Sequence, residues 1–153
     1  DSWLPHYLET CMNMCISGDF DMVAAGIQRL ESEHELPVIY PGPSALRADD
    51  FLVGNGGIQC SNTFIRMSTM LMAGCFDESL RSSTVRDLCI RIADLGTVTY
   101  TPIPSNLVKH YAERDRIRLT TKKSEAKLSG LTMFWQKYYG HLPILFHKHN
   151  TLL

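Results

Sequence analysis

Residues 54–62 form a glycine-rich polar segment, and the order of the segments around it constrains the fold more than any other feature. The segment reads Gly-Asn-Gly-Gly-Ile-Gln-Cys-Ser-Asn. Three of its glycines lie within four residues, so the backbone can adopt positive φ angles or approach a ligand closely. A tight turn and a ligand-binding loop are therefore both open interpretations of this segment.

Two common phosphate-binding motifs are excluded for residues 54–62. No Gly-Lys-Ser/Thr follows the glycines, so the segment is not a Walker loop. The segment also lacks the strand-Gly-x-Gly-x-x-Gly-helix arrangement of a dinucleotide fingerprint. Ser61 and Asn62 supply polar side chains where a strand is predicted to begin. The backbone N–H groups of such a loop can hold a sugar or a phosphate group.

Strand and helix patterns alternate along the chain, which favours an α/β fold class. Apolar residues recur at three- and four-residue steps from Val85 to Leu95, so residues 84–95 give the clearest helix. The other predicted helices are residues 3–15, 45–53, 68–73 and 121–139, and the predicted strands are 20–29, 62–66 and 97–101. Residues 31–44 are polar and then proline-rich, with a turn or loop predicted at Pro41-Gly-Pro43. A loop is also predicted at 102–106, and a surface tail from residue 141.

Composition narrows the classes of function. The 153 residues suit one domain or part of one, and their net charge of -1 lacks the basic excess of a nucleic-acid-binding protein. No apolar run approaches the roughly 18 residues that a membrane-spanning helix needs, and no signal peptide is visible. The five cysteines are odd in number and lack CxxC spacing, so we expect reduced thiols and a cytoplasmic location.

Several short motifs stand in a fixed order along the first two thirds of the chain. The start contains Asp1, Trp3, Pro5, Leu8 and Glu9, in the pattern Asp-x-Trp-x-Pro-x-x-Leu-Glu. Later motif residues are Asn55, Gly57, Ser61, Asn62, Phe64, Arg66, Gly74, Phe76, Asp77, Glu78, Leu80, Asp87, Leu88 and Arg91. In this order the motifs resemble the acceptor-side half of an inverting nucleotide-sugar glycosyltransferase of family 2. The resemblance covers residues 1–100 and is weak beyond residue 105.

The resemblance implies a GT-A-like fold, that of the nucleotide-diphospho-sugar transferases, without its N-terminal nucleotide-binding half. Residues 1–153 would form a single partial domain, with an acceptor-side portion at 1–100 and a C-terminal helical extension at 101–153. The implied activity is transfer of a sugar from a nucleotide-sugar donor to a saccharide or other acceptor, with inversion. No nucleic-acid partner is expected, and a homo-oligomer is left open.

The same resemblance implies which residues form the site. The substrate-binding residues would be Asn55, Gly57, Ser61, Asn62 and Arg66. A divalent metal, Mg²⁺ or Mn²⁺, would be held by Asp1 and His110 and would offset charge on the departing nucleoside diphosphate. These roles rest on the family's pattern and not on the spacing of the residues.

The expected catalytic base is missing from its usual place. Inverting transfer needs a group that takes the acceptor hydroxyl proton, and a carboxylate is the family's usual choice. The expected acidic pair is replaced by Thr84 and Val85. The base is then Asp87, or activity is lost, or the alignment is displaced by a residue or two. Asp87 also lies four residues before Arg91, the spacing of an ion pair on a helix surface.

Two further functions stay open beside an active glycosyltransferase. A catalytically inactive relative would act as a binding or assembly module, and Val85 is the residue that favours this interpretation. An unrelated α/β domain, in which the motif matches are accidental, is the other alternative.

Overall fold

The protein is described here by a computed structural model of residues 1–32, 34–42, 45–112 and 124–141, and it has a mixed α/β architecture. Five strands are described: β1 (Ser2–Trp3), β2 (Met22–Glu31), β3 (His34–Ile39), β4 (Thr63–Ile65) and β5 (Tyr100–Tyr111). Five α-helices are described: α1 (Tyr7–Ser17), α2 (Ala48–Val53), α3 (Met67–Met72), α4 (Thr84–Asp94) and α5 (Glu125–Tyr138). Two 3-10 turns lie at Cys60–Asn62 and Tyr139–His141.

Strand β2 is the centre of a mixed sheet. It pairs in parallel with β5, and its other edge pairs antiparallel with β4 near Val23 and with β3 near Arg29. The short strand β1 adds antiparallel to the far edge of β5, with Ser2 opposite Lys109 and Trp3 opposite Val108. This pairing brings the first residues of the chain beside residues more than 100 positions later.

Both faces of the sheet are covered, as the continuous apolar run of β2 requires. Met22 and Ala24 pack into one cluster, with apolar residues of α2, α4 and α5. Val23, Ala25 and Ile27 point to the opposite face and pack against Tyr7, Cys11 and Cys15 of α1. The predicted helix at 84–95 is confirmed as α4, and its buried residues include Leu88, Cys89 and Ile92.

Most predicted elements are confirmed with shifts of a few residues. These are the helices at 3–15, 45–53, 68–73 and 121–139 and the strands at 20–29 and 62–66, observed as α1, α2, α3, α5, β2 and β4. Residues 121–123 of the predicted fourth helix and the tail from 142 lie outside the described residues. The predicted strand at 97–101 starts only at Tyr100, and the two-residue β1 was not predicted.

The loop prediction at 102–106 is wrong, whereas Pro41 and Gly42 lie outside helices and strands as predicted, and Pro43 is outside the described residues. Strand β3, within the stretch 31–44, was not predicted. Pro37 lies in β3, whose described pairing is with β2 alone. A proline has no N–H to donate, and on the unpaired edge of a strand this costs no hydrogen bond between strands.

Pro102 and Pro104 lie in β5, where the described part of β1 pairs only near Val108 and Lys109. The expectation of a helical extension at 101–153 is therefore wrong for residues 101–111, which belong to strand β5.

No helix in the described ranges combines the length and the apolar character that a membrane crossing requires.

Candidate functional site

Two adjoining cavities lie beside the start of α4, and Cys60 and Val85 line both of them. The apolar cavity has a volume of about 300 Å³, and its other walls include Ile65, Met67, Met70, Phe76, Leu88 and Cys89. The mixed cavity has a volume of about 480 Å³, and its other walls include Asn55, Gln59, Arg81, Ser82, Ser83 and Thr84. The apolar cavity and the mixed cavity together are called the cleft.

The glycine-rich segment forms a tight loop at one side of this cleft. Gly56 and Gly57 have φ angles of +55° and +74°, in the left-handed region that favours glycine. A Cβ on Gly57 would lie 2.0 Å from the backbone oxygen of Tyr40, so this position also lacks space for any other residue. The turn interpretation of the segment is thus correct for Gly57, which packs against backbone.

Replacing Gly57 by alanine should cost about 1 kcal/mol from its positive φ and about 1–3 kcal/mol more, because a methyl group is forced against the Tyr40 carbonyl. Gly56→Ala is the matched control in the same loop. A Cβ on Gly56 would meet only the Phe51 ring, at 3.7 Å, so that variant should lose about 1 kcal/mol from its positive φ alone. Urea unfolding of both variants measures the difference, and equal losses would contradict the steric explanation.

Asn62 holds this loop to the sheet. Its Nδ2 donates to the carbonyl of Ala25 at 2.6 Å and to that of Gly57 at 3.0 Å. Its Oδ1 accepts from the backbone N–H of Gln59 at 2.7 Å. Because Asn62 is fully buried and its amide is used internally, the described contacts give it a structural role and not the predicted contact with substrate.

The remaining predicted substrate-binding residues do not lie together at one site. Asn55 is exposed and lines the mixed cavity. Ser61 does not line either cavity as described, but its carbonyl accepts a hydrogen bond of 2.7 Å from Nε1 of Trp3. That bond ties β1 to the loop. Of the five predicted residues, Asn55 is thus the one that the structure places on the cleft wall.

Arg66 lies at the other end of β4, beside the turn that precedes β2. Its Nε donates to Asp21 at 3.1 Å, and Nη2 lies 3.5 Å from Asp19. A hydrogen bond from the Thr99 backbone N–H, helped by the Thr99 hydroxyl and Arg66, holds the pKa of Asp21 below its usual value. Arg66 therefore stabilises a strand junction and is not part of the cleft.

Asp1 and His110 lie together, although 109 positions separate them in the sequence. Oδ1 of Asp1 is 2.7 Å from Nδ1 of His110. The pairing of β1 with β5 produces this contact, since Ser2 lies opposite Lys109. Both side chains are partly exposed to solvent, at 32% and 19%. The described residues contain no group of three or more potential His, Cys, Asp or Glu metal ligands.

Asp87 is fully buried at the base of α4. Its Oδ2 accepts from Arg91 at 2.7 Å, and its Oδ1 accepts from Lys137 and from the Tyr138 hydroxyl, each at 2.7 Å. Burial raises the pKa of Asp87, but the hydrogen bonds from Lys137, Tyr138 and Arg91 outweigh it and leave the pKa lowered. A shielded carboxylate with a lowered pKa is suited to structure, and it is poorly placed to take a proton from an acceptor.

Helix α5 holds the wall of the cleft in place through this carboxylate. Lys137 also pairs with Asp77 at 2.7 Å, so one ammonium group joins α5 to two separate segments. Gly130 packs so closely that a Cβ there would lie 2.3 Å from the Ser82 backbone nitrogen. No local sequence pattern connects Lys137 or Tyr138 with Asp87, because about 50 positions separate them.

The contacts of Lys137 should make stability depend on pH at both ends of the scale. Because the pKa of Asp87 is lowered, its stabilisation is present above about pH 4 and is lost as the pH falls through the lowered pKa. Burial lowers the pKa of Lys137, but hydrogen bonds to Asp77 and Asp87 outweigh it and leave the pKa raised. Its contribution is therefore complete below about pH 10 and is lost as the pH rises further.

Lys137→Met should reduce the pH dependence of the melting temperature at both ends, as measured by circular dichroism. Lys127→Met, on the same helix, is the control and should keep the dependence of the unmodified protein. An unchanged profile for Lys137→Met would show that Lys137 does not carry the effect.

Val85 lies on the first turn of α4, partly buried, and packs against the cluster that contains Leu88 and Phe134. Ser83, two residues earlier, has a φ of +64°, which a non-glycine residue adopts at some cost in free energy. Val85 lines both cavities, so the position at which the resemblance places a carboxylate faces the cleft but carries an apolar side chain.

The chain matches no protein-family model, and no curated protein is significantly similar to it.

Proposed function

We propose that the chain forms the acceptor-side part of a GT-A-like glycosyltransferase, which transfers a sugar from a nucleotide-sugar to an acceptor with inversion. The contact between Asp1 and His110 carries this proposal. The motif pattern assigns these two residues to one metal site, and the fold brings them to 2.7 Å from each other.

The side chains of Asp1 and His110 fit a divalent metal. Ligand atoms about 3 Å apart suit an octahedral ion that lies about 2.1 Å from each, and the observed 2.7 Å needs only a small side-chain rotation. A carboxylate with an imidazole favours Mn²⁺ over Mg²⁺, because imidazole is a better ligand for transition metals. Two protein ligands suffice where substrate phosphates and water complete the coordination.

A bound metal would offset the charge of the departing diphosphate. The chain's own residues supply the acceptor side of the site. Trp3, in the strand that directly follows Asp1, links that strand to the loop that lines the cleft through its bond to Ser61. Asn55, Gln59 and Thr84 place amide and hydroxyl groups along the mixed cavity, where an acceptor hydroxyl would be oriented. The donor nucleotide would be bound mainly by a separate half of the fold.

A second candidate function is a non-catalytic saccharide-binding or assembly module. Two observations favour it: Val85 faces the cleft, and the carboxylate of Asp87 is buried under three donors. In a protein that includes the donor-binding half, Val85→Asp separates the candidates. A large gain in sugar transfer would show an intact scaffold that lacked only its base. An unchanged low rate with intact saccharide binding would favour the binding module.

The metal site is testable on this chain alone. Titration with Mn²⁺, followed by the electron paramagnetic resonance of the free ion, should show one site whose affinity falls at least tenfold in Asp1→Asn and in His110→Gln. His34→Gln, an exposed histidine at the start of β3, is the control. Equal affinity in all four proteins would overturn the assignment of Asp1 and His110.

A further inference from the structure

The two cavities of the cleft differ in chemistry but share a wall. Cys60 and Val85 line both, so a ligand that passes over these two residues contacts both cavities at once. Neither shared residue is charged, and Val85 offers only a methyl surface. The boundary between the cavities is therefore no barrier to an apolar group.

The apolar cavity offers almost no group that would bind a sugar. Its walls are thioether, thiol, aromatic and aliphatic side chains from the 3-10 turn at Cys60, from β4, α3 and α4, and from the turn at Phe76, with Thr63 as the exception. Burial raises the pKa of the Cys89 thiol to about 12, so Cys89 is neutral at physiological pH and adds no charge. At about 300 Å³ the cavity is at the lower end of the range for small-molecule sites.

The mouth of the apolar cavity opens to solvent. Met67 is 69% exposed and Phe76 is 41% exposed, and both line it. The mixed cavity, by contrast, is lined by the polar residues Asn55, Gln59, Ser82, Ser83 and Thr84 and by the cations Arg81 and Arg86. The guanidinium of Arg86 donates to backbone carbonyls of α2. Amide, hydroxyl and guanidinium groups suit the hydroxyls of a sugar.

We infer that the cleft takes an amphiphilic acceptor, in which a sugar or polyol head occupies the mixed cavity and an alkyl or aryl tail occupies the apolar cavity. This inference rests on the proposed function, which makes the cleft an acceptor site. It adds that the acceptor is a sugar joined to an apolar group and not a free saccharide. Val85, an apolar residue between the two cavities, is where the head joins the tail.

A series of alkyl β-glucosides tests this inference on the chain itself. Methyl, butyl, hexyl and octyl β-glucoside, each below its critical micelle concentration, are titrated into the protein and followed by ¹H–¹⁵N NMR. Each methylene that enters the apolar cavity should tighten binding about three- to fourfold until the cavity is filled. The shifted amides should include Cys60 and Val85. 1-Octanol, which has the tail without the sugar, should bind more weakly than octyl β-glucoside.

Met67→Glu and Met72→Glu form a matched pair of variants. Both methionines lie on α3 and are exposed, at 69% and 62%, but only Met67 is among the described residues that line the apolar cavity. A carboxylate at residue 67 should weaken octyl β-glucoside at least tenfold and leave methyl β-glucoside unchanged. Met72→Glu should change neither. Because both side chains are exposed, both variants should fold, and their NMR spectra confirm this.

The outcomes separate this inference from the proposed function. Affinity that is independent of tail length, or equal binding of 1-octanol and octyl β-glucoside, would overturn the inference and leave Mn²⁺ binding at Asp1 and His110 untouched. Tail-dependent binding in a protein that fails to bind Mn²⁺ would support the amphiphile site and count against the glycosyltransferase proposal.

Discussion

Replacing Asp87 by alanine should destabilise the protein by about 3–5 kcal/mol, since it leaves Arg91, Lys137 and Tyr138 without their common acceptor. The carboxylate is fully buried. Removal of one member of a buried charged group costs more than the pair itself contributes. The expected loss is therefore large, although Asp87 and Arg91 have the spacing of an ordinary surface pair.

Urea unfolding of three variants tests this role. Asp87→Asn keeps the shape and one acceptor oxygen, so it should lose less than Asp87→Ala. Asp94→Ala removes an exposed carboxylate from the same helix and should change stability by no more than about 0.5 kcal/mol. If Asp87→Ala were as stable as Asp94→Ala, Asp87 would not be the acceptor that joins α4 to α5.

Replacing Asn62 by aspartate should cost about 3 kcal/mol or more, because the carboxylate cannot donate to the carbonyls of Ala25 and Gly57. It also places a negative charge beside two carbonyl oxygens in a fully buried site. The N–H of Gln59 keeps its acceptor, so the loss comes from the donor side alone. Asn62→Ala removes all three bonds but buries no charge, and a loss of about 2–3 kcal/mol is expected.

Asn55→Asp is the matched control, because Asn55 lies in the same loop but is exposed. It should change the free energy of unfolding by less than about 1 kcal/mol. In Asn62→Asp the loop should also lose its fixed position, so the amide signals of Gln59 and Cys60 should shift strongly or broaden. Equal stability of the Asn62→Asp and Asn55→Asp variants would contradict the assignment of Asn62 as the residue that holds the loop.

Sequence patterns predicted the elements whose cause is local. The apolar period of α4 and the unbroken apolar run of β2 each follow from burial on one face or on two. The predictions failed for strands whose formation depends on pairing with a distant strand. Strand β3 was not predicted and Pro102 was predicted in a loop, yet Pro37 and Pro102 each lie in a strand whose open edge tolerates a missing N–H.

The sequence predicted which polar residues lie near the site better than it predicted what each of them contacts. Asn62 and Arg66 were assigned to substrate binding because they match the motif pattern of the family that the sequence resembles. A sequence does not reveal whether such a side chain faces a ligand or the protein's own backbone. In the fold Asn62 binds carbonyl groups and Arg66 binds Asp21, whereas Asn55 reaches the cleft. Contacts such as Lys137 with Asp87 depend on how α5 packs, and no local pattern encodes them.

Paramagnetic broadening by Mn²⁺, with and without uridine diphosphate, tests the proposed glycosyltransferase site most directly. At low Mn²⁺ the amide signals of Ser2, Lys109 and His110 should broaden first, because Asp1 directly precedes β1 and His110 lies in β5. Uridine diphosphate should lower the Mn²⁺ concentration required at least tenfold, since its phosphates complete the coordination. Broadening centred instead on Asp49 and Asp50 of α2, or no effect of the diphosphate, would contradict the proposal.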